Sequence, residues 1–147
     1  MPANNKNIVL ISGGASGIGR RTAERFLAQG DAVHICDVSR ELVDDFLTAN
    51  PGATGTVADI GVRADVGRVF ADFEKLYDRL DVLVNNAGIA GPSAPVDEHV
   101  EDGWDKCIQV NLSGTFYMTR RAVPLLRQRG GGAIINISST AALHGYP

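Results

Sequence analysis

The chain has 147 residues, of which 44% are hydrophobic and 21% charged, and its formal net charge at pH 7 is −3. These values are ordinary for one globular domain, so a disordered or fibrous chain is excluded. The small negative charge, without any basic block, excludes a surface built to bind nucleic acid or an anionic membrane.

Short apolar runs alternate with longer amphipathic stretches along the chain, a pattern typical of βαβ units around a parallel sheet. The pattern predicts strands over 8–11, 32–36, 54–58, 81–84 and 133–137, separated by helices over about 17–29, 39–49, 62–77 and 101–129. Gly30 stands where a glycine ends a helix, and Ser39 is placed to cap the next one. Pro124 lies inside the last helix and predicts a kink or a local break near its C-terminal turn. No repeat or linker divides the chain, which is interpreted as one domain over 1–147.

Right-handed crossovers between these strands predict a doubly wound parallel α/β sheet, Rossmann-like, with strand order 3-2-1-4-5. In such sheets the ligand lies outside the carboxyl ends of the strands, near the switch between strands 1 and 4. Every motif considered next follows a strand at that edge, apart from one in the long helix. The position of the motifs therefore supports the fold.

A glycine-rich loop follows the first strand and opens the first helix, with the sequence Ser-Gly-Gly-Ala-Ser-Gly-Ile-Gly over 12–19. Glycine allows the sharp turn, the close approach of a pyrophosphate and the packing of helix against sheet. The free N–H groups at the start of the helix favour an anion. The loop therefore predicts phosphate binding, although a simple tight turn would need similar residues. A Walker-type phosphate loop is excluded because no Lys-Ser or Lys-Thr pair follows the glycines.

An acidic residue, Asp37, ends the second strand at about the spacing of the carboxylate that binds ribose hydroxyls. This carboxylate would repel a 2′-phosphate, so the sequence favours NAD over NADP. The alternative is a solvated loop acid or a helix cap. Three nearby cations, Arg20, Arg21 and Arg40, would weaken the preference if they faced the site, but the first two are expected in solvent.

The cysteines and histidines indicate neither a disulfide framework nor a metal site. The two cysteines, Cys36 and Cys107, are interpreted as reduced thiols in buried elements, and His34, His99 and His144 are scattered along the sequence. No signal-peptide pattern begins the chain and no apolar run is long enough for a membrane span. A cytoplasmic protein is therefore expected.

Taken together and in this order, the motifs resemble those of the short-chain dehydrogenase/reductase family, of its plain soluble kind. The motifs are the glycine loop at 13–19, Asp59-Ile60 after strand 3, Asn85-Asn86-Ala87-Gly88 after strand 4, Asn111-Leu112-Ser113-Gly114 in the long helix, and Asn136-Ile137-Ser138-Ser139 after strand 5. The resemblance covers the whole chain. Any one of these motifs alone would be weak, but their order is highly specific.

The resemblance implies an oxidoreductase that moves a hydride between NAD(H) and a secondary alcohol or ketone. It implies cofactor contacts at Gly13, Ser16, Gly17, Ile18, Asp37, Asp59, Ile60, Asn86, Ala87 and Gly88. It also implies that Ser139 polarises the substrate oxygen and that Asn111 holds a water in a proton relay. Asparagine is unfavourable inside a helix, which itself indicates a special role for Asn111. Asn86 and Gly88 have an alternative role, the satisfaction of backbone groups at a strand end.

The family's acid/base pair, Tyr-x-x-x-Lys, would follow Ser139 at a distance that this sequence does not reach. Tyr146 is rejected as a substitute because a proline follows it and no lysine lies four places on; His144 is interpreted as a rim residue. The chain is therefore interpreted as the N-terminal part of a family member, with five strands of an expected seven, and is expected to be inactive alone. The alternative is a catalytically inactive nucleotide-binding fragment or interaction module, with strand 5 as an uncovered edge.

The partner predictions are less specific. A small-molecule alcohol or ketone is expected as substrate, in a pocket lined by 90–95 and 139–146, with sugar alcohols, 3-hydroxyacyl groups and steroids all open. The long helix resembles the one that forms dimer contacts in the family, which implies a homodimer or homotetramer. Its apolar stripe could equally be core; the stripe consists of Trp104, Ile108, Leu112, Phe116 and Val123.

Overall fold

The computed structural model describes residues 6–144, so Tyr146 lies outside the described residues. The strands are β1 (Ile8–Ser12), β2 (Ala32–Asp37), β3 (Thr54–Val57), β4 (Val82–Asn85) and β5 (Ala133–Asn136). The helices are α1 (Gly17–Ala28), α2 (Arg40–Ala49), α3 (Arg63–Leu76), α4 (Glu101–Ile108) and α5 (Thr115–Gln128). A π-helical stretch, Gln109–Gly114, joins α4 to α5, and short 3₁₀ turns lie at Val96–Glu98 and Thr140–Ala142.

The five strands form one parallel sheet in the order β3-β2-β1-β4-β5, which confirms the predicted fold class and strand order. The central strand is fully buried: Val9, Leu10 and Ile11 are each 0% exposed. Alternation along the strand sends Leu10 into a core layer with α3 and α5, and Val9 and Ile11 into a layer with α1 and α2. A strand covered on both faces must be continuously apolar, which explains the unbroken apolar run in the sequence of β1.

The predicted helix ends are also in place. The Ser39 hydroxyl accepts a hydrogen bond from the Leu42 amide at 3.3 Å and so caps α2. Gly30 follows α1 with φ of +85°, a conformation that glycine adopts without strain. These two caps fix where β2 begins and where α2 leaves the sheet, and with them the position of Asp37.

The break predicted at Pro124 is wrong, because α5 continues through this residue to Gln128. Its neighbours Ala122, Leu125 and Leu126 are buried in the core, and this packing keeps the helix continuous despite the missing N–H group. The irregularity lies earlier, in the π-helical stretch 109–114, which carries Asn111. Such wide turns are frequent at functional sites.

A buried hydrogen-bonded chain of side chains links β2, β3 and α3. His34, 1% exposed, bonds the Thr54 hydroxyl through Nδ1 at 2.8 Å and the Thr56 hydroxyl through Nε2 at 3.1 Å. Thr56 in turn donates to Asp72 Oδ2 at 3.0 Å. Burial lowers the pKa of His34 from 6.5 to about 4, against an opposing effect of the Asp72 charge. The imidazole is therefore neutral at pH 7 and acts as part of the core.

Asp81, 3% exposed, connects the start of β4 to its neighbours at the amino ends of the strands. Its Oδ2 accepts a hydrogen bond from the Ile8 amide of β1 at 2.7 Å and pairs with Arg79 at 3.3 Å. Its Oδ1 is in contact with Arg129, just beyond α5. A carboxylate this deeply buried needs such partners to remain charged.

The last strand borders solvent. All four residues of β5 are exposed, and among residues 6–144 no strand pairs with its outer edge. This agrees with the predicted uncovered edge. Both cysteines are free thiols, but the predicted burial is wrong for Cys107, which is partly exposed on α4, a helix without buried residues. Within the same span no helix is long and apolar enough to cross a membrane.

Candidate functional site

The glycine loop is held tightly against β4 and left open on its other side. A Cβ on Gly13, which has φ of +62°, would lie 2.9 Å from the Ala87 Cα. A Cβ on Gly19 would overlap the Gly13 carbonyl oxygen and lie 2.5 Å from Asn86 Nδ2. Gly17 differs, because a Cβ there would have nothing within 4 Å. Gly13 and Gly19 therefore permit close packing of the loop against β4, whereas Gly17 is needed for its positive φ of +53° at the start of α1.

Asn86 and Ser12 fasten this loop to the end of β4. Asn86 Nδ2 donates to the Ser12 and Gly13 carbonyl oxygens at 3.2 and 2.9 Å. The buried Ser12 hydroxyl accepts from the Asn86 and Ala87 amides at 3.1 and 3.2 Å. The structural role that the sequence left open for Asn86 is therefore present: its side chain holds the loop.

Asp37 faces the same loop from the end of β2. Its Oδ2 accepts from the Ala15 amide at 3.2 Å, and its Oδ1 accepts from the Ser39 amide at 3.3 Å. These bonds hold the carboxylate at the rim of the cleft with lone pairs left for further donors.

The nearby arginines are directed elsewhere. Arg20 pairs with Glu24 at 3.0 Å and with Asp45 at 2.7 Å, and Arg21 pairs with Glu24 at 2.9 Å. Arg20 is partly solvated, with a side chain 27% exposed, and its guanidinium lies 5.7 Å from the Phe46 ring centroid. The guanidinium stacks there because its carboxylate partners lie on α1 and α2. None of these contacts offsets the Asp37 charge.

A cleft of about 320 Å³ lies between the carboxyl ends of β1 to β4. It is lined by Gly13, Ser16, Cys36, Asp37, Val38, Ala58, Asp59, Ile60, Asn86, Ala87, Gly88, Ile89, Lys106 and Val110. The structure thus brings together all the predicted cofactor residues except Gly17 and Ile18, which lie on the outer side of α1 in a separate shallow groove. Burial raises the pKa of the Cys36 thiol to about 12, so this residue lines the cleft but is not a nucleophile.

Asp59 is fixed at the far end of the cleft. Its Oδ1 accepts from the Gly61 amide at 2.8 Å, and its Oδ2 accepts from Lys106 Nζ at 2.6 Å. The Ile60 side chain is 4% exposed and packs in the core, so its backbone is the part that faces the cleft. Sequence reasoning missed Lys106, since a lysine in a helix is ordinarily solvated and nothing in the sequence pairs it with Asp59.

A second cleft, of about 460 Å³, shares the wall formed by 86–89 and contains both predicted catalytic residues, Asn111 and Ser139. The Asn111 side chain clamps Ile89, accepting from its amide and donating to its carbonyl oxygen, each at 2.8 Å. Ser139 Oγ accepts from the Ala141 amide at 3.2 Å. Its O–H is therefore left to donate to another group.

The end of β5 that carries Ser139 is positioned by β4. Asn85 Nδ2 donates to Asn136 Oδ1 at 2.9 Å and to the Thr119 hydroxyl at 3.0 Å, and the Ile137 amide donates to the Asn85 carbonyl oxygen at 2.9 Å. Ser138 borders the same cleft. Within the described part of the chain, no cluster of His, Cys, Asp and Glu is suited to hold a metal ion.

Known proteins resemble this chain in sequence over nearly its whole length. The sequence model described as short chain dehydrogenase matches residues 7–147. A 3-oxoacyl-[acyl-carrier-protein] reductase of Thermotoga maritima is 37% identical over 144 residues, which cover 95% of this chain and 58% of the relative. A 3beta-hydroxysteroid dehydrogenase of Mediterraneibacter gnavus is 37% identical over 147 residues, covering 97% and 53% respectively.

Solved structures agree with the fold. The crystal structure of a levodione reductase superposes with a TM-score of 0.89 at 32% identity, covering 95% of this chain and 57% of that one. An NAD⁺-bound xylitol dehydrogenase superposes with a TM-score of 0.92 at 26% identity, covering 99% and 57%. The chain therefore spans little more than half the length of the proteins that it matches.

Proposed function

The chain belongs to the short-chain dehydrogenase family, and from this premise we propose that it binds NAD(H) and serves hydride transfer to or from a secondary alcohol or ketone. The observation that carries the proposal is the Asp37 carboxylate, held 3.2 Å from the Ala15 amide of the glycine loop and in one cleft with Asp59. A carboxylate here accepts from ribose hydroxyls and repels a 2′-phosphate, which favours NAD over NADP.

The residues present fit a dinucleotide. The N-terminus of α1 suits a pyrophosphate where Gly13 and Ser16 line the cleft, and Asp37 suits the adenosine ribose. Asp59 and the Ile60 backbone border the end that would take adenine, and Ala87 and Gly88 border the middle. The nicotinamide, when bound, supplies the hydride chemistry, and the protein supplies binding and orientation. An NAD⁺-bound xylitol dehydrogenase shares this fold, which supports the proposal.

In the second cleft we assign the Ser139 hydroxyl to the substrate oxygen. Asn111 positions the loop at Ile89, and its role in holding the water of a proton relay stays a prediction. The Ser139 oxygen accepts from the Ala141 amide, and the same hydroxyl can still donate its O–H to the substrate oxygen. A donor in this position polarises a carbonyl and makes it a better hydride acceptor. The substrate remains a class, a small alcohol or ketone.

Replacing Asp37 with serine is expected to reduce the preference for NADH over NADPH at least about tenfold, because the 2′-phosphate then meets a hydroxyl and not a carboxylate. Titration of the chain by nicotinamide fluorescence measures both affinities. Asp78→Ser, an exposed acid outside the cleft, is the matched control and should leave both unchanged. Tighter binding of NADPH than NADH by the unchanged chain contradicts the NAD assignment, and binding of neither contradicts the proposed function.

A second candidate is a nucleotide-binding or interaction module without turnover. The exposed β5 edge favours it, because an unpaired strand edge invites association with another strand. NADH binding without turnover on a panel of secondary alcohols and ketones is expected of both candidates, since the chain is expected to be inactive alone. Turnover by the chain itself would rule out the second candidate.

We also propose that the chain forms a homodimer, alone or within a homotetramer, through the face of α4 and α5. The side chains of Trp104, Leu112 and Phe116 are 58%, 64% and 57% exposed, so the alternative that these residues form core is wrong for residues 6–144. The acidic start of α4 and the arginines of α5 have opposite charge. The charges of two copies of the α4–α5 face would therefore be complementary if the copies packed antiparallel.

Phe116→Glu is therefore expected to convert the assembly into monomers, because it places a charge in a buried contact. Leu76→Glu changes an equally exposed apolar residue on α3, also 57% exposed, and should leave the assembly intact. Sedimentation velocity of the three proteins measures the outcome. A monomeric unchanged chain, or equal loss with both variants, contradicts this interface.

A further inference from the structure

The charges lining the nucleotide cleft are unevenly distributed. Two carboxylates, Asp37 and Asp59, line it, and Lys106 is the only cationic side chain among its lining residues in the described part of the chain. The dinucleotide proposed for this cleft is itself an anion. The position of the single ammonium group therefore affects binding directly.

Lys106 reaches Asp59 across the edge of the cleft. The two residues are 47 positions apart, on α4 and after β3, and Lys106 Nζ lies 2.6 Å from Asp59 Oδ2. The Lys106 and Asp59 side chains are 47% and 25% exposed, and the other oxygen of Asp59 is held by the Gly61 amide at 2.8 Å. Both oxygens are thus fixed, and each keeps a lone pair for a further donor.

Another lysine–aspartate pair in the structure provides a contrast. Lys75 and Asp72 lie one turn apart on α3 and pair at 2.9 Å, with side chains 72% and 37% exposed. That pair spans no cleft and is an ordinary surface contact, expected to contribute little. The Lys106–Asp59 pair differs because it joins two elements at a proposed ligand site.

We propose that Lys106 is a positioning and specificity-determining residue for the base-binding end of the cleft. Its ammonium fixes the Asp59 carboxylate as an acceptor and offsets the charge of Asp59 beside an anionic ligand. A base with an amino group at C6, as in adenine, can donate to this acceptor. A base with an oxo group at C6, as in hypoxanthine, presents another acceptor and is disfavoured. This inference rests on the proposed nucleotide binding.

The test compares NADH with reduced nicotinamide hypoxanthine dinucleotide, which differ at C6 of the purine. Titration by nicotinamide fluorescence gives the two dissociation constants and their ratio for the full chain. Lys106→Met is expected to weaken NADH binding about tenfold and to lower the preference for NADH, since Asp59 loses a charge-assisted bond. Lys106→Arg should retain the preference, because a guanidinium also bonds a carboxylate.

Lys106→Gln separates the effect of the hydrogen bond to Asp59 from the effect of the positive charge, since an amide can still donate to Asp59 but carries no charge. It is expected to keep the preference between the bases and to lose affinity for both dinucleotides. Lys75→Met removes the same charge outside the cleft and should change neither quantity. Circular dichroism of each variant checks that the fold is intact.

Two results overturn the inference. If Lys106→Met has the same two dissociation constants as the unchanged chain, or if these constants change only as much as in Lys75→Met, the ion pair is merely a surface contact. If the unchanged chain binds NADH but does not prefer it over the hypoxanthine analogue, Asp59 is not a base acceptor and Lys106 has nothing to position. Absence of all NADH binding is a different failure, because it overturns the proposed function as well.

Discussion

Gly19→Ala is expected to weaken NADH binding at least about a hundredfold, because the methyl group forces the start of α1 away from the Gly13 backbone and a shift of about 1 Å at a binding site is enough to cause such a loss. The added methyl group would overlap the Gly13 carbonyl oxygen and lie 2.5 Å from Asn86 Nδ2. Neither atom can give way, since Asn86 Nδ2 bonds that same carbonyl oxygen at 2.9 Å. Overpacking of this kind also lowers the free energy of unfolding by about 1–3 kcal/mol.

The control is Gly67→Ala, in the middle of α3, where an added Cβ would have nothing within 4 Å. Alanine should stabilise that helix by about 0.5–1 kcal/mol and leave NADH binding unchanged. Fluorescence titration and urea unfolding measure both quantities. Unchanged NADH affinity in Gly19→Ala would mean that the glycine loop is only a tight turn, which is the alternative that the sequence left open.

The free energy of unfolding is expected to fall by about 3 kcal/mol through His34 alone as the pH is lowered from about 7 to 4. Burial lowers the pKa of His34 to about 4 in the folded chain, whereas an unfolded histidine has a pKa near 6.5. Between these values the unfolded chain binds the proton and the folded chain does not. The contribution is therefore fully present above pH 6.5 and is lost as the pH falls through the folded pKa.

His34→Gln isolates this effect, because glutamine can bond to the Thr54 or Thr56 hydroxyl but does not titrate. Urea unfolding between pH 4 and 7 should show a flatter dependence for this variant than for the unchanged chain. His144→Gln, at an exposed position, should retain the original dependence. Equal slopes for the unchanged chain and His34→Gln would show that folding does not lower the pKa of His34.

Those parts of the fold that depend on local pattern were predictable. Continuous apolar runs marked the strands of a doubly covered sheet, and Ser39 and Gly30 marked helix ends, because each signal follows from the chemistry of one short segment. The strand order then followed from the handedness of crossovers. This strand order predicts that Asp37 and the glycine loop lie together at the carboxyl ends of the strands.

The features that the sequence could not give depend on the packing of distant segments. The four-residue apolar step through Trp104, Ile108 and Leu112 is compatible with either a buried or an exposed face, and only the neighbouring elements decide between them. The partner of Lys106 is likewise set by where α4 crosses the end of β3. The wide turn at Gln109–Gly114 has no sequence signal of its own, since the irregularity was expected at Pro124.

The two neighbours of β1 also differ in how much chain must be organised before each can pair. β2 arrives after a single helix, whereas the bond from the Ile8 amide to Asp81 at the start of β4 closes a segment of 73 positions. The entropy of closing such a loop is roughly 4 kcal/mol before any contact offsets it. Because Asp37 and Asp59 stand on one side of the β1–β4 pairing and the 86–88 wall stands on the other, the cleft is formed only when this long segment is closed. Its two walls do not exist as a site until the longest closure in the sheet is complete.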